Sequence, residues 1–277
     1  MRHGTGIIGL LLAALAAALC APAAAGAGED ARASIVRGHA PTGAYDFMAY
    51  LETFNAPPAS GGVPTTACGG VLIAPDRVLT AAHCVAEGMT GRVPVTPDRV
   101  RLVLGRPDTR GLPPTDWMAV KSIASHPGFR VRAPAYARYD VAVLRLAAPA
   151  PVAPARLARP SNRKLWRLGR WSRVIGYGLT SPAVSTSYGV LYETELAVRR
   201  GRRCGNSRQV HADTVICSAG RGRRGTCQGD SGSPLLARGS IVIGVVSYSA
   251  GGCDGSYTGL ARVGANPLNR WIRAALR

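Results

Sequence analysis

Apolar and polar positions change over in short blocks along most of the chain rather than in long sweeps. Brief apolar blocks occur at Val71-Leu72-Ile73, Arg99 to Leu104, Val141 to Leu146, Glu193 to Val198 and Ile241 to Ser247, with Gly, Pro and Asp between them. Short runs rich in Val, Ile and Leu with frequent breakers predict the strands of an all-β sandwich or barrel. The C-terminal stretch has a different period. Leu268, Trp271, Ile272 and Leu276 fall on one helical face, Asn266 stands where a cap belongs, and Pro267 suits the first helical position. This predicts an α-helix over residues 266–276. The Pro/Ala-rich stretch from Ala147 to Ala155 reads as a crossover between two halves.

The longest apolar block lies near the N-terminus. Arg2 and His3 precede the run Ile7 to Leu19, and small residues follow as far as Ala23-Ala24-Ala25. A charged start, a short apolar middle and a small-residue end form the layout of a secretory signal peptide, here residues 1–25. The run is short for a bilayer span. A lipid anchor on Cys20 is the alternative, with bulky Leu19 where such signals carry a small residue. No second run is long enough to span. The expectation is a secreted, extracellular protein without a stable membrane anchor. Six cysteines remain after the signal: Cys68, Cys84, Cys204, Cys217, Cys227 and Cys253. An even number in an exported chain points to disulfides, with the pairing open. Zinc is the competing reading, but C-x-x-C and H-x-x-x-H spacings are missing, so no metal is expected.

Composition narrows the function classes. The 277 residues are 47% hydrophobic, which supports a core and excludes a disordered tail protein. The formal net charge is +19, and lysine contributes only Lys121 and Lys164 to the basic residues. Runs from Arg199 to Arg203 and Arg221 to Arg224 invite a nucleic-acid reading. They lack a recognised binding motif and neighbouring aromatics, so no nucleic-acid partner is expected. A solvated arginine-rich face is the default, and attraction to acidic substrates or an anionic cell wall is physically reasonable.

Three segments carry candidate chemistry. They are Leu79-Thr80-Ala81-Ala82-His83-Cys84, Tyr139-Asp140-Val141-Ala142-Val143-Leu144 and Cys227-Gln228-Gly229-Asp230-Ser231-Gly232-Ser233-Pro234. Singly, each has an ordinary reading: a packed histidine, a turn aspartate, a glycine loop. In the order His, Asp, Ser they closely resemble the trypsin/chymotrypsin family of serine endopeptidases, in a secreted, bacterial-type form. The resemblance runs from Ile35 to the C-terminal helix. It implies two antiparallel six-stranded β-barrels and a C-terminal α-helix. The first barrel would occupy about 35–150 and the second about 160–264, with the active site between them.

The resemblance also implies roles. Ser231 is the nucleophile, His83 the general base and acid, and Asp140 the group that orients the imidazole. The amides of Gly229 and Ser231 form the oxyanion hole. Ser247 bonds the triad aspartate, and Tyr248 stands where the family has tryptophan. Cleavage before Ile35-Val36-Arg37-Gly38 removes a propeptide, residues 26–34, and frees an amine to pair with Asp230. The implied disulfides are Cys68–Cys84, Cys204–Cys217 and Cys227–Cys253.

Specificity rests on Gly225, Thr226, Gln228, Ser247, Tyr248, Ser249 and Thr258. Gly225 stands where tryptic members carry aspartate, which argues against Arg or Lys. Thr226, Ser249 and Thr258 suggest a narrow pocket for small or medium uncharged residues, similar to elastase. A glutamate preference is the alternative, with Arg223 and Arg224 nearby but Val246 where such relatives place histidine. Arg106 follows Gly105 where the family's calcium loop has glutamate, so no cofactor is expected. Expected partners are polypeptide substrates and protein protease inhibitors, and a monomer is expected. A rival from another class is a catalytically lapsed cationic binding protein on the same scaffold.

Overall fold

Among the described residues of the computed structural model are fifteen short strands, one α-helix and several 3-10 turns. The structure describes Met1 and residues 35–89, 91–132, 136–181, 188–205, 210–211, 213–250 and 253–277. The expected signal peptide and propeptide lie outside the described residues. The account below concerns the compact unit Arg32–Arg277.

The strands are β1 (Met48–Phe54), β2 (Pro64–Ala74), β3 (Arg77–Thr80), β4 (Val100–Leu104), β5 (Met118–Ser125), β6 (Arg130–Arg132), β7 (Tyr136–Arg138) and β8 (Ala142–Leu146). After the crossover come β9 (Arg156–Leu157), β10 (Trp171–Gly176), β11 (Tyr192–Arg199), β12 (Val215–Ala219), β13 (Pro234–Ala237), β14 (Ile241–Ala250) and β15 (Tyr257–Ala261). The five short apolar blocks between Val71 and Ser247 each lie in one of these strands, with ends shifted by a few residues.

Strands β1-β2-β3-β8-β5-β4 close into the first barrel. Alternation fills it: in β8, exposed Arg145 lies between buried Leu144 and Leu146. In the second barrel β13-β10-β11-β12-β15-β14 follow in order, and a β13–β14 pairing shuts the ring. Val174, Leu196, Ile216, Leu235, Ile243 and Leu260 fill its interior. Strand β9 is added to this barrel in parallel to β14, and β6 pairs with β7 as a separate two-stranded sheet. The crossover Ala147–Ala155 contains no strand; the amides of Ala150 and Ala155 donate to Pro75 and Leu72 of the first barrel at 2.7 and 2.9 Å.

The C-terminal helix differs from its sequence pattern. It runs Leu268–Ala274, the cap residue is Pro267, and no side chain caps it. The Asn269 amide donates to the Ala265 carbonyl at 2.9 Å, so a backbone oxygen does the work expected of Asn266. Buried Leu268 and Ile272 join the first-barrel core. Asn269, also buried, donates its side-chain amide to the carbonyls of Ala158 and Val263. At the other end, Arg77 Nε donates to the Ala275 carbonyl at 3.3 Å. The helix thereby sits astride both halves.

Three disulfides join Cys68 to Cys84, Cys204 to Cys217 and Cys227 to Cys253, the pairings implied by the resemblance. Each closes a loop of modest length, which contributes about 3 kcal/mol by restricting the unfolded chain. A second fastening was invisible in the sequence. Fully buried Glu193 accepts hydrogen bonds from Tyr45 at 2.7 Å and Thr42 at 2.8 Å, and Arg173 Nε lies 3.5 Å away. His39 pairs with the Glu193 backbone. Residues 39–45 are thus clamped to β11.

Candidate active site

His83 is delivered by β3 into the short 3-10 turn Ala82–Val85, where its ring is buried. Asp140 opens the run into β8 and is 1% exposed. Tyr139 before it has φ +55°, the left-handed turn that swings the aspartate inward. One carboxylate oxygen accepts the His83 backbone N–H at 2.9 Å. The other lies 2.7 Å from His83 Nδ1 and accepts the Ser247 hydroxyl, also at 2.7 Å. This arrangement places the imidazole proton on Nδ1 and leaves Nε2 as the basic nitrogen.

Electrostatics follow from the burial. Desolvation pushes the His83 pKa down, but the charge and hydrogen bond of Asp140 outweigh it and the net shift is upward. Burial pushes Asp140 up, and His83 and Ser247 together bring it below the usual carboxylate range.

Ser231 lies in the loop between β12 and β13, which is stapled to the strands that carry His83. Its carbonyl accepts the Gly69 amide of β2 at 2.7 Å, and Gly232 N–H donates to Val246 of β14 at 2.8 Å. Gly232 has φ +81°, and a Cβ there would run into the Gly69 carbonyl and the Thr80 hydroxyl. The Cys68–Cys84 disulfide ties β2 to the histidine turn. His83 Nε2 lies 3.8 Å from Cys84 Sγ, and among the described residues no hydrogen bond joins it to Ser231. Such bonds are often long in a free enzyme and tighten when substrate binds. Among the described residues the amides of Gly229 and Ser231 donate to no backbone carbonyl.

Asp230 is fully buried and accepts the amides of Gly178 at 2.9 Å and Cys227 at 2.8 Å. Burial pushes its carboxyl up to about 7, with the two amides opposing. Ile35 is 0% exposed and packs in the second-barrel core. Val36 pairs with Gly225 beside the expected pocket. In the full-length chain the Ile35 nitrogen belongs to a peptide bond, and Asp230 has no cation as partner among the described residues.

The expected pocket residues come together on β14, β15 and the Cys227 loop. Thr226 Oγ1 lies 2.8 Å from Thr258 Oγ1 and 3.0 Å from Ser249 Oγ, and Ser249 donates to the Thr226 carbonyl at 3.1 Å. The Thr226 hydroxyl therefore bridges those of Ser249 and Thr258. Gln228 is exposed, and its carbonyl accepts the Leu179 amide at 2.7 Å. The Tyr248 ring lies on Gly259 and against the Cys204–Cys217 cluster. Val246 is buried in the barrel core.

Metal-ligand chemistry is poor here. Cys68, His83 and Cys84 cluster, but the two sulfurs are bonded to each other, leaving no thiolate for a metal. At the candidate calcium loop, Arg106 pairs with Asp116 at 2.9 Å.

Residues 35–272 match the Trypsin family model. The chain belongs to the trypsin family. This trypsin-family serine peptidase is 34% identical over 217 residues to granzyme M of Homo sapiens, covering 74% of this chain and 78% of that protein. It is 29% identical over 276 residues to glucanase inhibitor protein 2 of Phytophthora infestans, covering 96% and 98%. The solved structure titled HL collagenase has a TM-score of 0.68 and 26% identity, covering 87% of this chain and 98% of that one. These mammalian and oomycete relatives lend no support to a bacterial-type member.

Two features of the trypsin-family chain escaped sequence reading. One is the Glu193 clamp, whose partners lie up to 151 positions away. The other is Tyr188: its ring lies where a Cβ on Gly229 would be. No local pattern marks either residue.

Proposed function

We propose that this chain is a secreted serine endopeptidase that cuts peptide bonds after small or medium uncharged residues. The observation that carries the reading is the buried Asp140 carboxylate, which takes the His83 ring, the His83 amide and the Ser247 hydroxyl at once. A histidine held in that tautomer can take the Ser231 proton through Nε2 as Oγ attacks the scissile carbonyl. The developing oxyanion is received by the Gly229 and Ser231 amides. His83 then gives its proton to the leaving amine, and water repeats the cycle on the acyl-enzyme. Because the paired Asp140 raises the His83 pKa, the acid limb of kcat/KM is expected above the ordinary histidine value of about 6.5. Activity falls as pH drops through that limb, since a protonated ring accepts no proton.

Activation on this reading is cleavage after Ser34, with the new Ile35 amine pairing with Asp230. Ser34 is small, so the enzyme itself fits the cut. A Ser231→Ala precursor is expected to remain unprocessed in pure form, and normal maturation of it would refute self-processing.

The chain of hydroxyls from Ser249 through Thr226 to Thr258 supports a narrow pocket. Thr258→Gly is expected to shift preference toward Leu and Met over Ala by roughly 10-fold, since a pocket discriminates a methylene by about 1–3 kcal/mol. Peptide kinetics with paired substrates measure it. Glutamate preference has less support: Arg223 is exposed and bonds the Asp254 carbonyl, and Val246 is in the core. Substrate proteins and protein inhibitors are the expected partners of a monomeric enzyme. Secretion rests on the N-terminal sequence layout; among the described residues no helix is long and apolar enough to cross a membrane.

A second reading has a specific observation behind it. A relative that covers 96% of this chain is named a glucanase inhibitor protein, which favours a lapsed peptidase that binds other proteins. The test for both is a cleavage map: chain processed to begin at Ile35, with a Ser231→Ala control, incubated with a proteome-derived peptide mixture. Cuts after Ala, Ser, Val or Leu that the control lacks support the proposal. Cuts after Glu keep the mechanism and overturn the pocket. No cuts favour the binding scaffold.

A further inference from the structure

Asp140 hangs from a backbone conformation that its neighbour does not favour. Tyr139 before it is left-handed, with φ +55°, a region settled mainly by glycine, asparagine and aspartate. The Val141 amide reaches back to the Tyr139 carbonyl at 2.8 Å, so Asp140 is the middle residue of a three-residue turn. An aromatic residue keeps such a conformation only where its surroundings impose it. Here they include a histidine that takes no part in the triad.

His126 follows β5 directly and grips this turn in two ways. Its backbone N–H donates to the Val141 carbonyl at 3.0 Å. Its ring lies parallel to the Tyr139 ring, with 9° between the planes and 4.6 Å between centroids. The imidazole is itself fixed. Nδ1 accepts the Gly128 N–H at 3.0 Å, inside a turn that the Phe129 amide closes onto the His126 carbonyl at 2.8 Å. Burial pushes the His126 pKa down, which favours the neutral ring that accepts this N–H. Trp271 of the C-terminal helix packs against the imidazole, tilted by 55° at 5.0 Å. Gly128 leaves room for the stack: a Cβ there would lie 2.8 Å from Tyr139 Cδ2 and 3.1 Å from His126 Nδ1. The Arg138 guanidinium lies over the Tyr139 ring, 4.9 Å from its centroid.

A rotation at Tyr139 carries Asp140 with it. The carboxylate holds His83 by contacts of 2.7 and 2.9 Å, and a displacement of about 1 Å in such a group costs on the order of 10²-fold in rate. We infer that His126 is a positioning residue of the peptidase: its ring, stacked on Tyr139, holds the left-handed turn that aims Asp140 at His83. The inference rests on the proposed role of Asp140 in the reaction. His126 touches neither His83 nor Asp140 through its ring, so it acts on the geometry of that pair and not on substrate binding.

The first test is steady-state kinetics of enzyme processed to begin at Ile35. His126→Ala is expected to lower kcat on a peptide amide about 10-fold while KM stays within about 2-fold. The acid limb of kcat/KM moves to lower pH, since a misaimed carboxylate supports less positive charge on His83. His126→Phe restores a ring that cannot titrate, and is expected to recover kcat to within about 3-fold of the parent. His126→Asn keeps an acceptor for the Gly128 N–H but no ring, and stays near the alanine level. Tyr139→Asn tolerates the left-handed region unaided and should lose less than about 3-fold. Adding His126→Ala to it should then cost nothing more. A histidine that merely supports the fold would cost the same in both backgrounds, and that result overturns the inference, as does full kcat in His126→Ala.

The second test needs no turnover. In the full chain carrying Ser231→Ala, the low-field proton NMR signal of His83 Nδ1–H is assigned by its loss in His83→Ala. It is expected to shift upfield or broaden on adding His126→Ala and to return with His126→Phe. A signal that His126→Ala leaves unmoved overturns the inference while the triad stands. A signal indifferent to Asp140→Asn overturns the His83–Asp140 pairing itself, and this inference with it.

Discussion

Ser231→Ala and His83→Ala are each expected to lower kcat/KM for a peptide amide by on the order of 10⁵ to 10⁶. The double variant loses scarcely more, because each residue is useless without the other. Asp140→Asn is expected to cost about 10⁴ while leaving the fold intact. Asparagine offers N–H where the His83 ring needs an acceptor, so it turns the imidazole to the wrong tautomer. The other oxygen still accepts the His83 backbone amide, and the Ser247 hydroxyl can rotate to accept from the new NH2, so that side chain stays in place. Steady-state rates normalised to correctly folded protein decide the matter. Residual activity above about one part in a hundred in Ser231→Ala would remove it from the nucleophile's role.

The second large effect changes sign with processing. In the full-length chain Asp230 is buried with two amide donors and no cation, and its carboxyl is pushed up to about 7. The folded state then holds this proton more tightly than the unfolded state, whose value is near 4. Stability contributed by the protonated group is full below about pH 4 and is lost as pH rises through 7. The difference is on the order of 4 kcal/mol. Asp230→Asn in the full-length chain should remove that slope and leave the protein at least as stable at pH 8.

On the proposed activation, the free amine of a chain that begins at Ile35 supplies the missing charge. There the same substitution strands a buried ammonium, which costs about 3–5 kcal/mol and releases the Gly229–Ser231 amides. Activity should fall by at least 10³. Urea unfolding of both forms at pH 5 and pH 8 measures the two signs. A substitution that destabilises both forms equally would mean that Ile35 and Asp230 do not meet.

How much of this could be read from residues alone depends on range. The strands were legible because the signal is local: short runs such as Val141 to Leu146 are rich in Val, Ile and Leu and end at breakers. The His83, Asp140 and Ser231 segments were legible through resemblance, since nothing local says that residues 57 and 91 positions apart belong to one site. The Asn266 cap was misread because a backbone carbonyl, which no sequence pattern distinguishes, took its place. Thr226, Ser249 and Thr258 were assigned to the pocket one at a time. That they bond one another rather than face open space is a property of three converging strands and loops. Glu193 looked like any strand glutamate, because its partners Thr42, Tyr45 and Arg173 come from two other segments.

The C-terminal helix sets an order of events. Leu268 and Ile272 complete the first-barrel core, Asn269 holds Ala158 and Val263, and Arg77 grips the far end. These contacts cannot form until both barrels have already been synthesised. An emerging chain therefore has no crosspiece until both barrels have been made, and its halves stay separable until then. The helix that follows both barrels is the part that locks them together, so the join between the halves is completed only after residues 268–274 have been made.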